Sequence, residues 1–263
     1  MIDTHCHLTS DRLNERVEEV IADAHEAGVD RMISVGTSPD DSAKAIALAE
    51  RVPCVFATAG LHPGYSEHVT DYVALKETLG RMLDHPKVVA LGEMGLDHHY
   101  PDPPDALQRP AFAVQLELMV ERPGIVGVIH NREATDDTLA MIADHGVDAS
   151  RLVFHCFTGS VDEIDLILAT GAMVSFTGIV TFGSAQNVAE ASDRVPLERL
   201  MIETDSPYLT PKPFRKVRTN EPKYVPHVAQ FLAHRRNISL DTFTTTVDAN
   251  AERFFGLPEA ALG

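Results

Sequence analysis

The hydrophobic positions fall into short continuous runs, separated by longer stretches in which apolar residues recur at helical spacing. The runs are Met1–Thr4, Met32–Val35, Val55–Ala59, Val88–Leu91, Ile125–Ile129, Leu152–Phe154, Met173–Phe176 and Leu200–Ile202, eight in all. They are continuous rather than alternating, as parallel strands covered on both faces require. After the first run, Leu13, Val17, Val20, Ile21 and Ala24 share one helical face, and Gly28 suits its C-terminal stop. Ser38-Pro39 starts the next helix, with proline in the first turn. Phe112, Leu116, Met119 and Val120 form a further stripe. Ser160 and Glu163 read as a capping box before Val161, Ile164, Ile167 and Leu168, with Gly171 ending that helix. A short helix is predicted near Gln186–Ser192. The chain finishes with helices near Val225–Arg235 and Leu240–Phe255, the last packing back through Phe243, Val247, Phe254 and Phe255.

Eight strand–helix repeats predict an α/β fold, a (β/α)8 TIM barrel forming a single domain over 1–263. A closed barrel uses about 250 residues. An open eight-stranded sheet would usually carry a Gly-rich phosphate loop after its first strand. That position here reads His5-Cys6-His7-Leu8.

Composition narrows the function classes. The formal charge is −17, from 22 Lys and Arg against 39 Asp and Glu. This excludes a broad basic groove for duplex DNA, but not a phosphate ester held through bound cations. Three widely spaced cysteines, Cys6, Cys54 and Cys156, suit free thiols in a reducing cytoplasm. Strand alternation points Cys6 and Cys156 away from the neighbouring histidines. The chain shows no basic start followed by an apolar run, and no stretch near the ~18 apolar residues of a membrane helix. A cytoplasmic protein with no membrane contact and no obligate protein partner is expected.

The ionisable residues carry the chemistry. His5 and His7 follow the first run, Glu93 the fourth, His130 the fifth, His155 the sixth and Asp205 the eighth. In a barrel, those C-terminal strand ends converge on one face. A lone histidine at a strand end is usually a hydrogen-bonded structural residue. Metal-competent residues at one end of so many strands are hard to attribute to chance. His5 and His7, two apart on a strand, point the same way. Asp3 lies two residues earlier and is expected to orient a ligand from below. Imidazoles mixed with carboxylates suit Zn²⁺, Mn²⁺, Fe²⁺ or Ni²⁺ better than Ca²⁺. The set exceeds what one tetrahedral ion needs, so two ions are expected with Glu93 as the natural bridge.

These residues lie within ordered motifs: Asp3-Thr4-His5-Cys6-His7, Gly60-Leu61-His62-Pro63, Gly92-Glu93-Met94-Gly95-Leu96-Asp97, Val128-Ile129-His130-Asn131-Arg132-Glu133-Ala134, His155-Cys156-Phe157-Thr158-Gly159-Ser160, Glu203-Thr204-Asp205-Ser206-Pro207-Tyr208-Leu209 and Asn220-Glu221-Pro222. The ordered set resembles the TatD family of metal-dependent deoxyribonucleases, within the amidohydrolase-like barrels. The resemblance spans nearly the whole chain. It implies two divalent cations, with Zn, Mg or Mn foremost. His5, His7, Glu93 and Asp205 would hold one, and Glu93, His130 and His155 the other. It also implies hydrolysis of DNA phosphodiesters, often from the 3′ end, with single-stranded DNA or 3′ ends as the substrate.

In that reading Asp205 accepts the proton of the attacking water. Glu203 either assists or hydrogen-bonds within the site; both remain open. Lys212, Arg215, Lys216 and Arg218 follow the last strand, where barrels often bind phosphate, and are expected to contact the substrate. His62 and Tyr208 are expected to position it. Tyr208 either stacks on a base or packs beside Pro207. Two departures from the family pattern, Arg122-Pro123-Gly124 and His98-His99-Tyr100, touch loops rather than ligands. One alternative is a barrel hydrolase acting on an amide, lactone or small phosphoester. Many of these bridge their ions with a carboxylated lysine where Glu93 stands. A non-enzymatic barrel binding protein is the other alternative, and the intact ligand set argues against it.

Overall fold

The computed structural model describes residues 1–258. Its strands are β1 (Ile2–Cys6), β2 (Arg31–Ser34), β3 (Val55–Ala59), β4 (Val88–Asp97), β5 (Gly127–Arg132), β6 (Leu152–Phe154), β7 (Met173–Phe176) and β8 (Leu200–Ile202). They pair in parallel and in chain order as one eight-stranded sheet. Contacts between the first and last strands close it into a TIM barrel. Cys6 bridges Ser206, His7 N donates to Ser206 O at 2.7 Å, and Asp205 N donates to His5 O at 2.9 Å. The helices are α1 (Val17–Glu26), α2 (Pro39–Arg51), α3 (Tyr72–Met82), α4 (Asp105–Glu121), α5 (Thr135–Asp144), α6 (Val161–Ala169), α7 (Gln186–Arg194), α8 (Val225–Arg235) and α9 (Leu240–Phe255).

Local chemistry explains the helix ends. Ser38 Oγ accepts from Asp41 N at 3.2 Å and starts α2. Ser160 and Glu163 form both halves of a capping box on α6. In the α4 stripe Phe112, Leu116 and Met119 are buried, but Val120 is exposed to solvent. Leu13 is buried yet precedes α1, ahead of a single 3₁₀ turn at Asn14–Arg16.

Three strands outrun their apolar runs: β1 reaches Cys6 and so takes in His5. β4 continues from Leu91 to Asp97, and β5 to Arg132. Glu93 and His130 therefore lie within strands rather than after them. Hydrogen bonding between β4 and β5 sustains this polar stretch, with Gly95 opposite His130 and Asp97 opposite Arg132.

The barrel interior is apolar at its lower end. Ile2, Ile33, Phe56, Ala90, Val128, Val153, Met173 and Met201, one from each strand, form a single buried cluster. Ala251 and Phe255 of α9, with Leu257 beyond it, join that cluster and cover its base. A separate, larger cluster fills the space between strands and helices, including Val20, Leu79, Phe112, Ile164 and Val247. Hydrophobic burial thus holds the barrel from inside and outside. The polar residues are left for the opposite end. Among the described residues, no helix is long and apolar enough to cross a membrane.

Candidate metal centre

The centre begins with a kink in β4. Gly92 has φ +140°, a backbone conformation that side chains disfavour. The β3–β4 pairing leaves no room there either. A Cβ on Gly60 would lie 2.4 Å from the Gly92 carbonyl carbon. The displaced Gly92 carbonyl accepts from Thr58 Oγ1 at 2.5 Å, and Glu93 N donates to Gly36 O at 3.0 Å. The register between β4 and β5 shifts at this point, between Leu91 and Met94. The bulge turns Glu93 into the middle of the barrel mouth.

Five imidazoles surround this carboxylate, and they divide between its two oxygens. Oε1 lies 2.8 Å from His130 Nδ1, 2.8 Å from His155 Nε2 and 3.6 Å from His62 Nε2. Oε2 lies 3.4 Å from His5 Nε2 and 3.9 Å from His7 Nε2. Asp205 Oδ1 stands 3.3 Å from His7 Nε2 and 3.8 Å from His5 Nε2. All the residues read as ligands from the sequence therefore meet around Glu93. His62, read only as a substrate contact, stands among them. The ligand atoms of His5, His7 and Glu93 lie within 4.8 Å of one another, as do those of His62, Glu93 and His130. Buried carboxylates usually pair with Lys or Arg; here imidazole nitrogens surround one instead, a donor set that fits divalent cations.

Outer partners aim several of the rings. His7 Nδ1 donates to Val35 O at 3.2 Å, leaving Nε2 for the centre. His130 Nε2 donates to Asp97 Oδ2 at 3.0 Å, leaving Nδ1 for Glu93. His155 Nδ1 donates to Glu203 Oε1 at 3.3 Å. Such carboxylate–histidine pairs orient metal ligands and raise their basicity. Glu203 also accepts from Cys156 N at 2.8 Å and Ser175 Oγ at 2.5 Å. Both of its oxygens are occupied beneath His155, so Glu203 lies a layer below Asp205, which lines the mouth.

Asp3 does not bond the His5 ring. It accepts from Thr204 N at 2.9 Å and Thr204 Oγ1 at 2.5 Å, and so positions the segment that carries Asp205. Among the described residues, His5 Nδ1 has no hydrogen-bond partner. Alternation holds for Cys6, whose thiol donates to Ile33 O away from the mouth. Cys156 departs from it: with φ +45° it has left the strand, and it lines the mouth beside Thr177.

Burial and neighbouring charge act against each other here. Burial alone would raise the Glu93 carboxyl, but the charges of His155 and His62 and hydrogen bonds from His130 and His155 hold it well below the usual range. Burial would lower His7, yet Asp205 lifts it to about 9. Burial and the charge of His130 push His62 down to about 3. Asp205 is drawn below its ordinary value by His7, against the effect of burial. Asp3, under Thr204, is pushed up to about 8 by burial.

The mouth opens into a cavity of about 1300 Å³. Tyr65, Tyr100 and Tyr208 are exposed on its rim. Arg12 stacks over Tyr208 at 5.4 Å and Arg132 over Tyr100 at 5.1 Å, and Lys44 completes the lining cations. Lys212, Arg215, Lys216 and Arg218 do not line it. Their loop turns toward the β7 side, where Lys212 N donates to Thr181 Oγ1 at 2.9 Å and Arg215 lies 3.6 Å over the Phe182 ring.

The profile of the TatD related DNase family matches residues 2–256. The chain belongs to the TatD family. A Bacillus subtilis (strain 168) relative called uncharacterized metal-dependent hydrolase YabD is 36% identical over 257 residues, covering 97% of this chain and 98% of its own. An Erwinia billingiae relative called 3′-5′ ssDNA/RNA exonuclease TatD is 34% identical, covering 98% of this chain and 100% of its own. The crystal structure of YjjV, a TatD homologue from Escherichia coli K12, matches with a TM-score of 0.91 at 28% identity, covering 98% of each chain. This TatD-family chain is a metal-dependent hydrolase.

Sequence reading did not single out Asp97, Arg12, Lys44, Arg132 or Tyr65. Asp97 shares a face with Glu93 four residues earlier on β4, a relation that appears only once the strand is seen to run to Asp97. The rim residues sit on loops and strand ends with no comparable marker.

Proposed function

We propose that this hydrolase cleaves the phosphodiester bonds of single-stranded DNA from the 3′ end with two divalent cations, which Glu93 would help to hold. The observation that carries this reading is the division of Glu93, with one oxygen toward His5 and His7 and the other toward His130 and His155. His5, His7, Glu93 and Asp205 would hold one ion, and Glu93, His130 and His155 the second. Imidazole-rich donors favour Zn²⁺ or Mn²⁺ over Mg²⁺, which prefers oxygen. Two bound cations supply a water of lowered pKa and positive charge against the phosphate oxygens.

The chain's own residues do the rest. Asp205, its carboxyl held low by His7 against burial, remains ionised and takes the attacking water's proton. Asp97 and Glu203 fix the ring planes of His130 and His155. Arg12, Lys44 and Arg132 offer the rim charge that a strand's phosphates need on an acidic body. The exposed tyrosines offer faces on which unpaired bases stack. The name of the Erwinia relative supports the same substrate class.

Metal analysis of purified protein, paired with assays on single-stranded and duplex DNA, tests the reading. The expected outcome is shortening from the 3′ end, preferring single strands, abolished by chelator and restored by Zn²⁺ or Mn²⁺. Turnover of a lactone with DNA left intact would reject it.

A further inference from the structure

Beside the mouth lies a second cavity of about 470 Å³, between the start of α2, the turn at Pro63–His68 and the first turns of α3. Its walls include Leu61, Tyr65, Val69, Ala74, Leu75 and Thr78. Ser38, Asp40 and Tyr65 line both cavities, so the second one borders the metal centre's mouth. Tyr65 is the partition. Its ring stands 6.3 Å from that of His62, whose Nε2 is 3.6 Å from Glu93 Oε1.

We propose that this chamber is a nucleobase pocket, receiving the base of one nucleotide next to the scissile phosphate. The inference rests on the nuclease reading and specifies how that substrate is held. Three features select a base over other parts of a strand. Its exposed lining is mainly apolar surface, from Pro39, Leu61, Val69, Ala74 and Leu75 among polar neighbours, and its volume falls in the range of small-ligand pockets. Tyr65 and His68 offer ring faces at its edge, 6.4 Å apart. Among the described residues, no Lys or Arg lines it, while Asp40 and Asp71 do, so a phosphate is repelled and stays at the mouth. A base enters such a side chamber only when it is unpaired. The pocket therefore makes the enzyme selective for single strands without a basic groove.

The test uses a single-stranded oligonucleotide, a series in which one abasic residue replaces each position in turn near the cleaved bond, and bis(4-nitrophenyl) phosphate. In the native enzyme, abasic replacement at one position is expected to raise KM on the order of tenfold, the scale of one lost stacking contact. Ala74→Trp fills the chamber from an exposed α3 position, away from the ligands. It should raise KM for the intact oligonucleotide by a similar factor and erase the abasic effect at that position. Turnover of the aryl ester should be unchanged, and this also reports folding. Thr78→Phe, on the same wall, repeats the test should the tryptophan variant misfold. An abasic profile that is flat in the native enzyme, or an unchanged KM in both filled variants, overturns the pocket while leaving the nuclease reading intact. Intact DNA with continuing aryl ester turnover overturns the nuclease reading itself.

Discussion

Glu203 shows how one residue's partners decide its role. Its Oε1 accepts from His155 Nδ1 and Cys156 N, and its Oε2 from Ser175 Oγ. Glu203→Gln replaces one accepting oxygen with a donating amide, which must then face a donor already in place. The expected result is a fall of roughly 10- to 100-fold in metal affinity or turnover with the fold retained, the usual scale for such an outer partner. Metal titration beside circular dichroism checks it. A carboxylate reaching water in the mouth would instead change the pH profile. The histidines were legible in the sequence because His5 and His7 lie two apart near the end of one apolar run and His130 and His155 each directly follow another. The position of Glu203 was not, because both facings of a residue near the end of β8 look alike until Ser175 and Cys156 are seen beneath His155.

At the scale of elements, the α6 capping box and the β4 bulge make separate predictions. Burial would raise the Glu163 carboxyl, but the Ser160 backbone bond and the Thr135 and Ser160 hydroxyl bonds bring it below its ordinary value. A depressed folded pKa means stability that is complete above the ordinary glutamate range and lost as acid protonates the folded state. Glu163→Gln is therefore expected to cost about 1 kcal/mol near neutrality, with the gap to the native chain closing below about pH 4. Urea unfolding across that range measures it. Gly60→Ala pushes a methyl group against Gly92 and so against the seat of Glu93. It is expected to destabilise by about 1–3 kcal/mol and to weaken metal binding as well, since the two cannot relax independently. Unfolding combined with metal titration separates this from simple loss of stability, in which affinity would be unchanged. The strands β1 to β8 could be read as apolar runs, with β3, β6, β7 and β8 matching residue for residue. The extensions of β4 and β5 could not, because Gly92, Glu93 and Gly95 resemble a loop unless the neighbouring strand is known.

For the whole molecule, charge distribution matters more than net charge. On a body of −17, Arg12, Lys44 and Arg132 are the Lys and Arg side chains that line the mouth among the described residues. Single-strand binding releases counterions in proportion to the phosphates neutralised, with a slope near −0.7 for each. The logarithm of kcat/KM on single-stranded DNA should then fall against the logarithm of salt with a slope no steeper than about −2. Arg12→Gln should flatten it by about 0.7, as measured by initial rates over a salt series. Had the run from Lys212 to Arg218 faced the mouth, a steeper slope would follow. The facing of that run was not legible in the sequence, because adjacency to β8 does not say which way a loop turns. Here the Thr181 and Phe182 contacts draw it aside.

The apolar layer beneath the metal centre and the end of α9 below it make the barrel a blind well. Nothing threads through it. A polymer that enters by its tip must have that tip removed, or withdraw by the way it came. Any grip that keeps a long strand engaged between successive cuts must therefore lie around the opening.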